Sequence, residues 1–182
     1  MPLSAEERST LVSLARRAVE AQVRGQQPPQ LPQMKGALAE YRGCFVTLTN
    51  GGHLRGCIGQ FQPAEPLACT VIEMGGAAAE DPRFYHRPIT TEELPQLHIE
   101  VSVLSSLQET KDPLSLTIGV HGIYIVRNNR SGCFLPEVAT DMGWDAQTFL
   151  DECCAGKAGM PPNAWKEKGT TVYLFTSEKF SG

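Results

Sequence analysis

Long hydrophobic runs are missing from this sequence. No apolar stretch in the 182 residues approaches the roughly 20 residues that a membrane-crossing helix needs. The N-terminal stretch MPLSAEERSTL has two early glutamates, where a signal peptide would have basic residues followed by an apolar run. We therefore expect a cytoplasmic protein that has no membrane partner.

Clusters of basic residues are missing as well. The 16 Lys and Arg residues are scattered along the chain and are outnumbered by 20 Asp and Glu residues, which gives a net charge of -4. Non-specific binding to DNA or RNA needs a basic stripe that releases counterions from phosphates. We therefore expect no non-specific nucleic-acid binding, and the scattered charges leave room only for a local basic pocket.

Metal and nucleotide motifs are also absent. The glycines match neither G-x-G-x-x-G nor the P-loop pattern, and the cysteines form no C-x-x-C pair of the kind that zinc sites use. We therefore expect neither a metal nor a cofactor. In a reducing cytosol, most cysteines should be free thiols packed as small apolar residues. The six are Cys44, Cys57, Cys69, Cys133, Cys153 and Cys154.

Helical periodicity appears in three places. Ser4 and Glu7 form a capping box ahead of a helix that should end at Gly25, and the following residues 26–33, QQPPQLPQ, predict a proline-rich extended connector. A second helix should begin at Pro66, and its segment GGAAA has so little bulk that another element should approach it closely. Asp145 is the predicted N-cap of the last helix.

Alternating patterns predict the strands. CFVTLT, Asn50-Gly51 and HLRGCIGQF together indicate a hairpin with a type I′ turn, and LHIEVSVL, LTIGV, GIYIVR and TTVYLFT indicate further strands. Helices and strands do not follow a strict βαβ order. The sequence therefore predicts an α+β fold with a mainly antiparallel or mixed sheet and flanking helices.

The returning hairpin strand carries the most unusual residues. A period of two places Leu54 and Ile58 on one face and His53, Arg55, Cys57 and Phe61 on the other, with Gly59 leaving a gap beside Cys57. Neighbours on one face lie about 7 Å apart, so Arg55 could favour the Cys57 thiolate and His53 could serve as its base. The alternative is that Cys57 fills a small core slot, Arg55 reaches a carboxylate elsewhere and the glycines allow close packing.

Two further polar groups are candidates. Asp81 and Arg83 flank Pro82, and residues so placed most often cap a turn or pair with each other. His98, Glu100 and Ser102 form a polar stripe on a strong strand, which is typical of the solvent-facing side of an antiparallel sheet.

The chain resembles the AMMECR-one domain family, whose bacterial and archaeal members belong to the AmmeMemoRadiSam system. The segments that carry this resemblance occur in the following order: LRGCIG at 54–59, AAAEDPRF at 77–84, LHIEVSVLS at 97–105, GCFLPEVA at 132–139, GW at 143–144, FL at 149–150 and KAG at 157–159. The resemblance implies one family-type domain over residues 1–182, folded as two unequal lobes with a cleft. It also implies partners, a Memo-type protein and a radical SAM enzyme, but no activity.

The resemblance also carries over individual positions. Its signature hexapeptide corresponds to Arg55, Gly56, Cys57 and Gly59; its DPRF element corresponds to Asp81, Arg83 and Phe84; and its next strand carries Glu100 and Ser102. The chain departs from the family pattern at Glu137, Met160 and Ser106-Leu107.

Two functions follow as expectations. In the first, the protein is an accessory or binding protein whose cleft receives a small ligand or a partner peptide, lined by Gly56, Gly59, Asp81, Arg83, Glu100 and Ser102. In the second, it is an enzyme that uses Cys57 as the nucleophile of acyl or related group transfer, with His53 or Glu100 as base and Arg55 holding an anionic group. Whether the Cys57 thiol is exposed in a cleft or sealed under side chains distinguishes these two hypotheses.

Overall fold

The computed structural model describes residues 2–182, which form two compact units. The first unit runs to Leu104 and takes in Glu178–Gly182, and the second comprises Ser105–Ser177. The division does not fall at the proline-rich connector 26–33, which lies within the first unit. In chain order the helices and strands are α1 (Ala5–Val23), β1 (Cys44–Asn50), β2 (His53–Gln60), α2 (Leu67–Ala79), β3 (Leu97–Leu104), β4 (Gln108–Thr110), β5 (Gly122–Arg127), β6 (Arg130–Phe134), α3 (Pro136–Met142), α4 (Ala146–Glu152), β7 (Thr171–Phe175) and β8 (Ser177–Ser181).

The first unit is a four-stranded sheet with the order β2-β1-β3-β8, in which β1 is antiparallel to both β2 and β3. The buried side chains of one face, here called the core face, include Val46, Leu48, Ile99 and Val101, and they pack into one apolar cluster with residues of α1 and α2. The opposite face, here called the outer face, carries the alternate positions of the same strands.

Helix α1 crosses α2 at the predicted small-residue segment. A Cβ atom added at Gly75 would lie 3.1 Å from the Ala15 carbonyl oxygen and 3.2 Å from the Ala18 Cβ. The prediction that another element approaches GGAAA closely is therefore confirmed, and that element is α1. The capping box of Ser4 and Glu7 is also present at the start of α1.

The second unit contains a four-stranded sheet with the order β4-β7-β5-β6 and a separate apolar cluster that includes Ile125 and Phe149. Asp145 is the N-cap of α4 and accepts a 2.8 Å hydrogen bond from the Thr148 amide, as predicted. The predicted strand LTIGV is wrong, because these residues form a turn in which Gly119 has a φ of +80°. The α+β class with antiparallel pairing is confirmed.

Two general properties complete the description. Within residues 2–182, no helix is both long enough and apolar enough to span a bilayer. All six cysteines are free thiols, with Cys44, Cys153 and Cys154 buried and the other three half-buried.

Candidate functional site

The candidate site is built on the hairpin of β1 and β2. The turn residues are Gly51 and Gly52, whose φ values of +54° and +80° suit a type I′ turn, so the turn lies one residue later than the Asn50-Gly51 pair predicts. Asn50 is the last residue of β1 and pairs with His53. A two-residue loop of glycines therefore connects β1 to β2 and sets the pairing register of the two strands.

A β-bulge interrupts β2 at Arg55. Thr49 pairs with Leu54 and Leu48 with Gly56, so that Arg55 has no partner on β1. A bulge adds one residue and thereby shifts the alternation of faces beyond it. A prediction that assumes strict alternation along β2 therefore assigns residues beyond the bulge to the wrong face.

The prediction that His53, Arg55 and Cys57 share one face is wrong, because the bulge shifts the alternation between them. Cys57 pairs with Thr47 and lies on the outer face together with Leu54, whereas the positions of His53 and Ile58 belong to the core face. His53 is exposed at the start of β2. The structure therefore does not place it beside Cys57 as a base.

The Arg55 side chain is buried and directed away from Cys57. Its Nε and Nη2 atoms donate to the two carboxylate oxygens of Glu93 at 2.5 and 3.0 Å, and Nη2 also donates to the Arg87 carbonyl at 2.9 Å. The side-chain hydrogen bond from Arg55 is the largest cause that lowers the pKa of Glu93. Asn50 donates a further bond of 3.1 Å to the same carboxylate. Arg55 thus anchors Glu93, which immediately precedes the turn into β3, and its charge is already neutralised.

The two glycines of β2 are in such close contact with neighbouring groups that neither position has room for a side chain. A Cβ atom at Gly56 would lie 2.0 Å from the Ala78 carbonyl oxygen at the end of α2, and one at Gly59 would lie 2.4 Å from the ring of Phe45. That ring also makes an edge contact with Phe61 at a centroid distance of 5.4 Å. The predicted gap beside Cys57 is therefore wrong, because the Phe45 ring fills it.

The backbone of Cys57 is bound by the DPRF segment. Its amide donates to Asp81 Oδ2 at 2.9 Å, and its carbonyl accepts from Arg83 Nη2 at 3.1 Å. Strand β2 is an edge of the sheet, and both Cys57 groups point away from β1. Asp81 and Arg83 therefore satisfy backbone groups that would otherwise be open to pairing. We call these three residues the Cys57 bracket.

The same geometry explains the surroundings of the thiol. Because the Cys57 backbone groups point outward from the sheet, Cys57 and Thr47 form a non-hydrogen-bonded pair, in which side chains lie closest. The Thr47 Oγ1 and Cys57 Sγ atoms are 3.2 Å apart. Both residues are half-buried. The thiol therefore sits in a defined polar contact on the outer face.

Asp81 organises the Cys57 bracket electrostatically. Its side chain is 1% exposed and accepts bonds from the Arg83 amide at 3.0 Å and from Arg83 Nη2 at 2.6 Å. The side-chain hydrogen bond from Arg83 is the largest cause that lowers the pKa of Asp81 to about 2. The interpretation that these two residues cap a turn and pair with each other is confirmed.

Arg83 contacts the Cys57 backbone and is also exposed to solvent. Its side chain is 58% exposed even though two of its nitrogens are held by the Cys57 bracket. Its pKa is raised, mainly by the hydrogen bond to Asp81 and least by the charge of Cys57. The arginine that contacts Cys57 is therefore Arg83, through the Cys57 carbonyl, whereas the sequence points to Arg55.

A polar row crosses the outer face from β2 to β8. Cys57 pairs with Thr47, Thr47 pairs with Glu100, and Lys179 Nζ lies 3.4 Å from Glu100 Oε1. On β3, His98 is exposed as expected of a solvent-facing stripe, but Ser102 is 2% exposed. That end of the predicted stripe is therefore buried. Thr47 belongs to the row, although the sequence does not single it out.

The chemistry available at this site is polar binding. Among residues 2–182, the hydrogen-bond partner of the Cys57 thiol is the Thr47 hydroxyl, and no His or carboxylate bonds to it. Within the same residues, no group of three or more His, Cys, Asp and Glu side chains is arranged to hold a metal ion. The site offers a fixed guanidinium, a thiol and a hydroxyl.

Comparisons with known proteins identify the family of this chain. The sequence model of the AMMECR1 family matches residues 12–180. A protein of Methanothermobacter thermautotrophicus is 41% identical over 98% of this chain and 96% of its own, and one of Thermococcus kodakarensis is 40% identical over 93% and 87%. The crystal structure of an uncharacterized protein from Pyrococcus horikoshii has a TM-score of 0.86 and 36% identity, covering 98% of this chain and 93% of that chain. The chain belongs to the AMMECR1 family.

Proposed function

We propose that this protein is an accessory binding protein that uses the Cys57 bracket and the neighbouring outer face to hold an anionic group of a small ligand or a partner peptide. The partners we propose are a Memo-type protein and a radical SAM enzyme, as family membership suggests. The observation that carries the proposal is the state of Arg83, which is largely exposed and yet fixed by Asp81 and the Cys57 carbonyl.

A fixed and exposed guanidinium suits anion binding for two physical reasons. An unrestrained arginine loses side-chain entropy when it binds, and the bracket has already removed much of that freedom. Its planar donors also match the geometry of carboxylates and phosphates. Asp81 is oriented toward Nε and Nη2, so the outer edge of the guanidinium remains for a ligand.

The neighbouring residues supply the remaining contacts that such a ligand would use. Thr47 is half-buried on the same face as Cys57, and Glu100 with its ion pair to Lys179 continues the row. A ligand held by Arg83 would therefore meet a thiol, a hydroxyl and a charged pair within about three strand spacings, or roughly 15 Å.

Pull-down with the Memo-type and radical SAM proteins of the source organism tests the proposal. We expect a complex at micromolar concentrations with the wild type and a weaker one with Arg83→Ala. Arg8→Ala is the matched control, because Arg8 is also exposed and ion-paired, to Glu178 at 3.0 Å. Absence of any complex would exclude these partners, and a complex unaffected by Arg83→Ala would exclude the Cys57 bracket as the contact.

The second candidate is an enzyme with Cys57 as nucleophile in acyl or related group transfer. The half-buried thiol and its contact with the Thr47 hydroxyl favour it. The positions of two predicted helpers count against it, since Arg55 is paired with Glu93 and His53 is on the other face of β2. Formation of a covalent adduct with an activated thioester, abolished in Cys57→Ser, would support it; no adduct in folded protein would exclude it.

A further inference from the structure

A second site lies in the first unit and shares no residue with the Cys57 bracket, although its lining ends at Glu80, the residue before Asp81. A cavity of about 500 Å³ opens between α1, α2 and the connector, and we call it the helix groove. Its volume is in the range of small-molecule pockets, about 300–1,000 Å³. Its lining residues from α1 and the connector are Ala18, Ala21, Gln22, Gln26, Pro28, Pro29 and Leu31, and those from α2 and its C-terminal cap are Cys69, Ile72, Glu73, Gly76, Ala77 and Glu80.

Small residues create the space in the helix groove. Ala18 and Ala21 on α1 face Gly76 and Ala77 on α2, and none of them has a side chain beyond Cβ. A Cβ atom at Gly76 would meet only the Gln22 Oε1 atom, at 3.6 Å, which is an ordinary contact. Gly75 is in tight contact with α1, but Gly76 borders open volume. The absence of a side chain at residue 76 therefore contributes to the open volume of the groove.

The charged residues that line the helix groove are both negative. Among the described residues that line it, the ionisable carboxylates are Glu73 and Glu80, and none is a lysine, arginine or histidine. Arg17 and Arg24, together with Glu20, line an adjoining hollow that shares Ala21, Gln26 and Pro29 with the groove. The groove also lies near the C-terminal ends of α1 and α2, where the helix dipole gives a negative partial charge. A cation is thus favoured there and an anion disfavoured.

We propose that the helix groove binds a small organic amine with an apolar body. The ammonium group would lie at the rim beside one of the two carboxylates, Glu73 or Glu80, and the body would lie against Ile72, Leu31 and the prolines of the connector. An aromatic or branched aliphatic body matches the apolar walls and the volume. This site is separate from the Cys57 bracket and does not depend on the function proposed for it.

Three probes with the same indole body and two-carbon linker test which sign of ligand charge the groove prefers. Tryptamine, tryptophol and indole-3-propionate share the indole body and differ in carrying a cation, a neutral hydroxyl or an anion. Isothermal titration with the full chain at low salt should give the tightest binding for tryptamine, about fivefold tighter than tryptophol, and the weakest for indole-3-propionate. Added salt should reduce the difference. Equal binding of all three, or no binding of tryptamine at millimolar concentration, would overturn the proposal.

Two variants test whether the amine binds in the helix groove. Gly76→Leu should abolish binding of tryptamine and tryptophol by filling the groove, and it should keep the fold, because leucine has a higher helix propensity than glycine. Circular dichroism would verify the fold. Glu73→Gln combined with Glu80→Gln should remove the preference for tryptamine but retain tryptophol binding.

The matched control for the charge change is Glu92→Gln with Glu109→Gln, two exposed carboxylates outside the groove. This control should bind the probes as the wild type does. Undiminished binding to folded Gly76→Leu, or loss of the tryptamine preference in the control, would place the amine elsewhere and overturn the proposal.

Discussion

Replacement of Asp81 by asparagine tests the Cys57 bracket most directly. Asparagine keeps the shape but loses the charge that accepts bonds from Arg83 and the Cys57 amide. The pKa of Asp81 is lowered from 3.8 to about 2, and a difference of this size corresponds to about 2 kcal/mol of stability at neutral pH. Because Arg83 is exposed and screened by solvent, this figure is an upper estimate.

The pH dependence follows from the sign of the pKa difference. Asp81 has a lower pKa in the folded than in the unfolded protein, so its contribution is fully present above about pH 4 and is lost as pH falls toward 2. The gap in unfolding free energy between the wild type and Asp81→Asn should therefore shrink by about 1 kcal/mol between pH 7 and pH 3.

Denaturant unfolding followed by far-ultraviolet circular dichroism measures this difference in unfolding free energy between the wild type and Asp81→Asn. Tryptophan fluorescence would report the wrong part of the chain, because Trp144 and Trp165 both lie in the second unit. Asp112→Asn is the control at an exposed aspartate and should change stability by less than about 0.5 kcal/mol. The Cys57 amide resonance should titrate together with Asp81, near pH 2. A midpoint near 3.8, or a gap that stays constant with pH, would refute the reasoning.

The remaining predictions concern the signature strand. Arg55→Met should lower the unfolding free energy by up to about 3 kcal/mol in thermal or chemical denaturation, because it leaves the half-buried Glu93 carboxylate without its cation; wild-type stability in this variant would contradict a stabilising role of the ion pair. Gly59→Val should unfold or strongly destabilise the chain, since an aromatic ring occupies the Cβ position at 2.4 Å, and a folded variant with unchanged melting temperature would contradict that contact. Iodoacetamide should label Cys57 in Arg55→Met, if that variant folds, at the wild-type rate, because Arg55 is paired with Glu93 and not with Cys57; slower labelling would contradict this pairing.

Local patterns predict most of the fold. The capping box at Ser4, the N-cap at Asp145 and the alternating apolar strands are properties of short segments, so they can be read without the tertiary structure. LTIGV fails as a strand because β-branched residues also occur in turns, and Gly119 with its positive φ favours the turn.

The arrangement of the candidate site could not be read in the same way. The bulge at Arg55 is stabilised by Glu93, which lies 38 residues further along the chain, and alternation within one strand carries no information about that contact. One local signal does exist. A glycine inside a strand often marks a bulge, and Gly56 directly follows Arg55.

The structural contacts of the hexapeptide show where function is to be sought within it. Arg55 is explained by its ion pair, Gly56 by the close end of α2 and Gly59 by the ring above it. The Cys57 backbone is explained by the bracket, which any residue with an amide and a carbonyl could satisfy. The sulfur is not explained in this way, because a serine hydroxyl at position 57 could make the same hydrogen bond to Thr47. Packing thus accounts for three of these four residues, and the proposed function therefore predicts that a ligand or substrate contacts the Cys57 thiol.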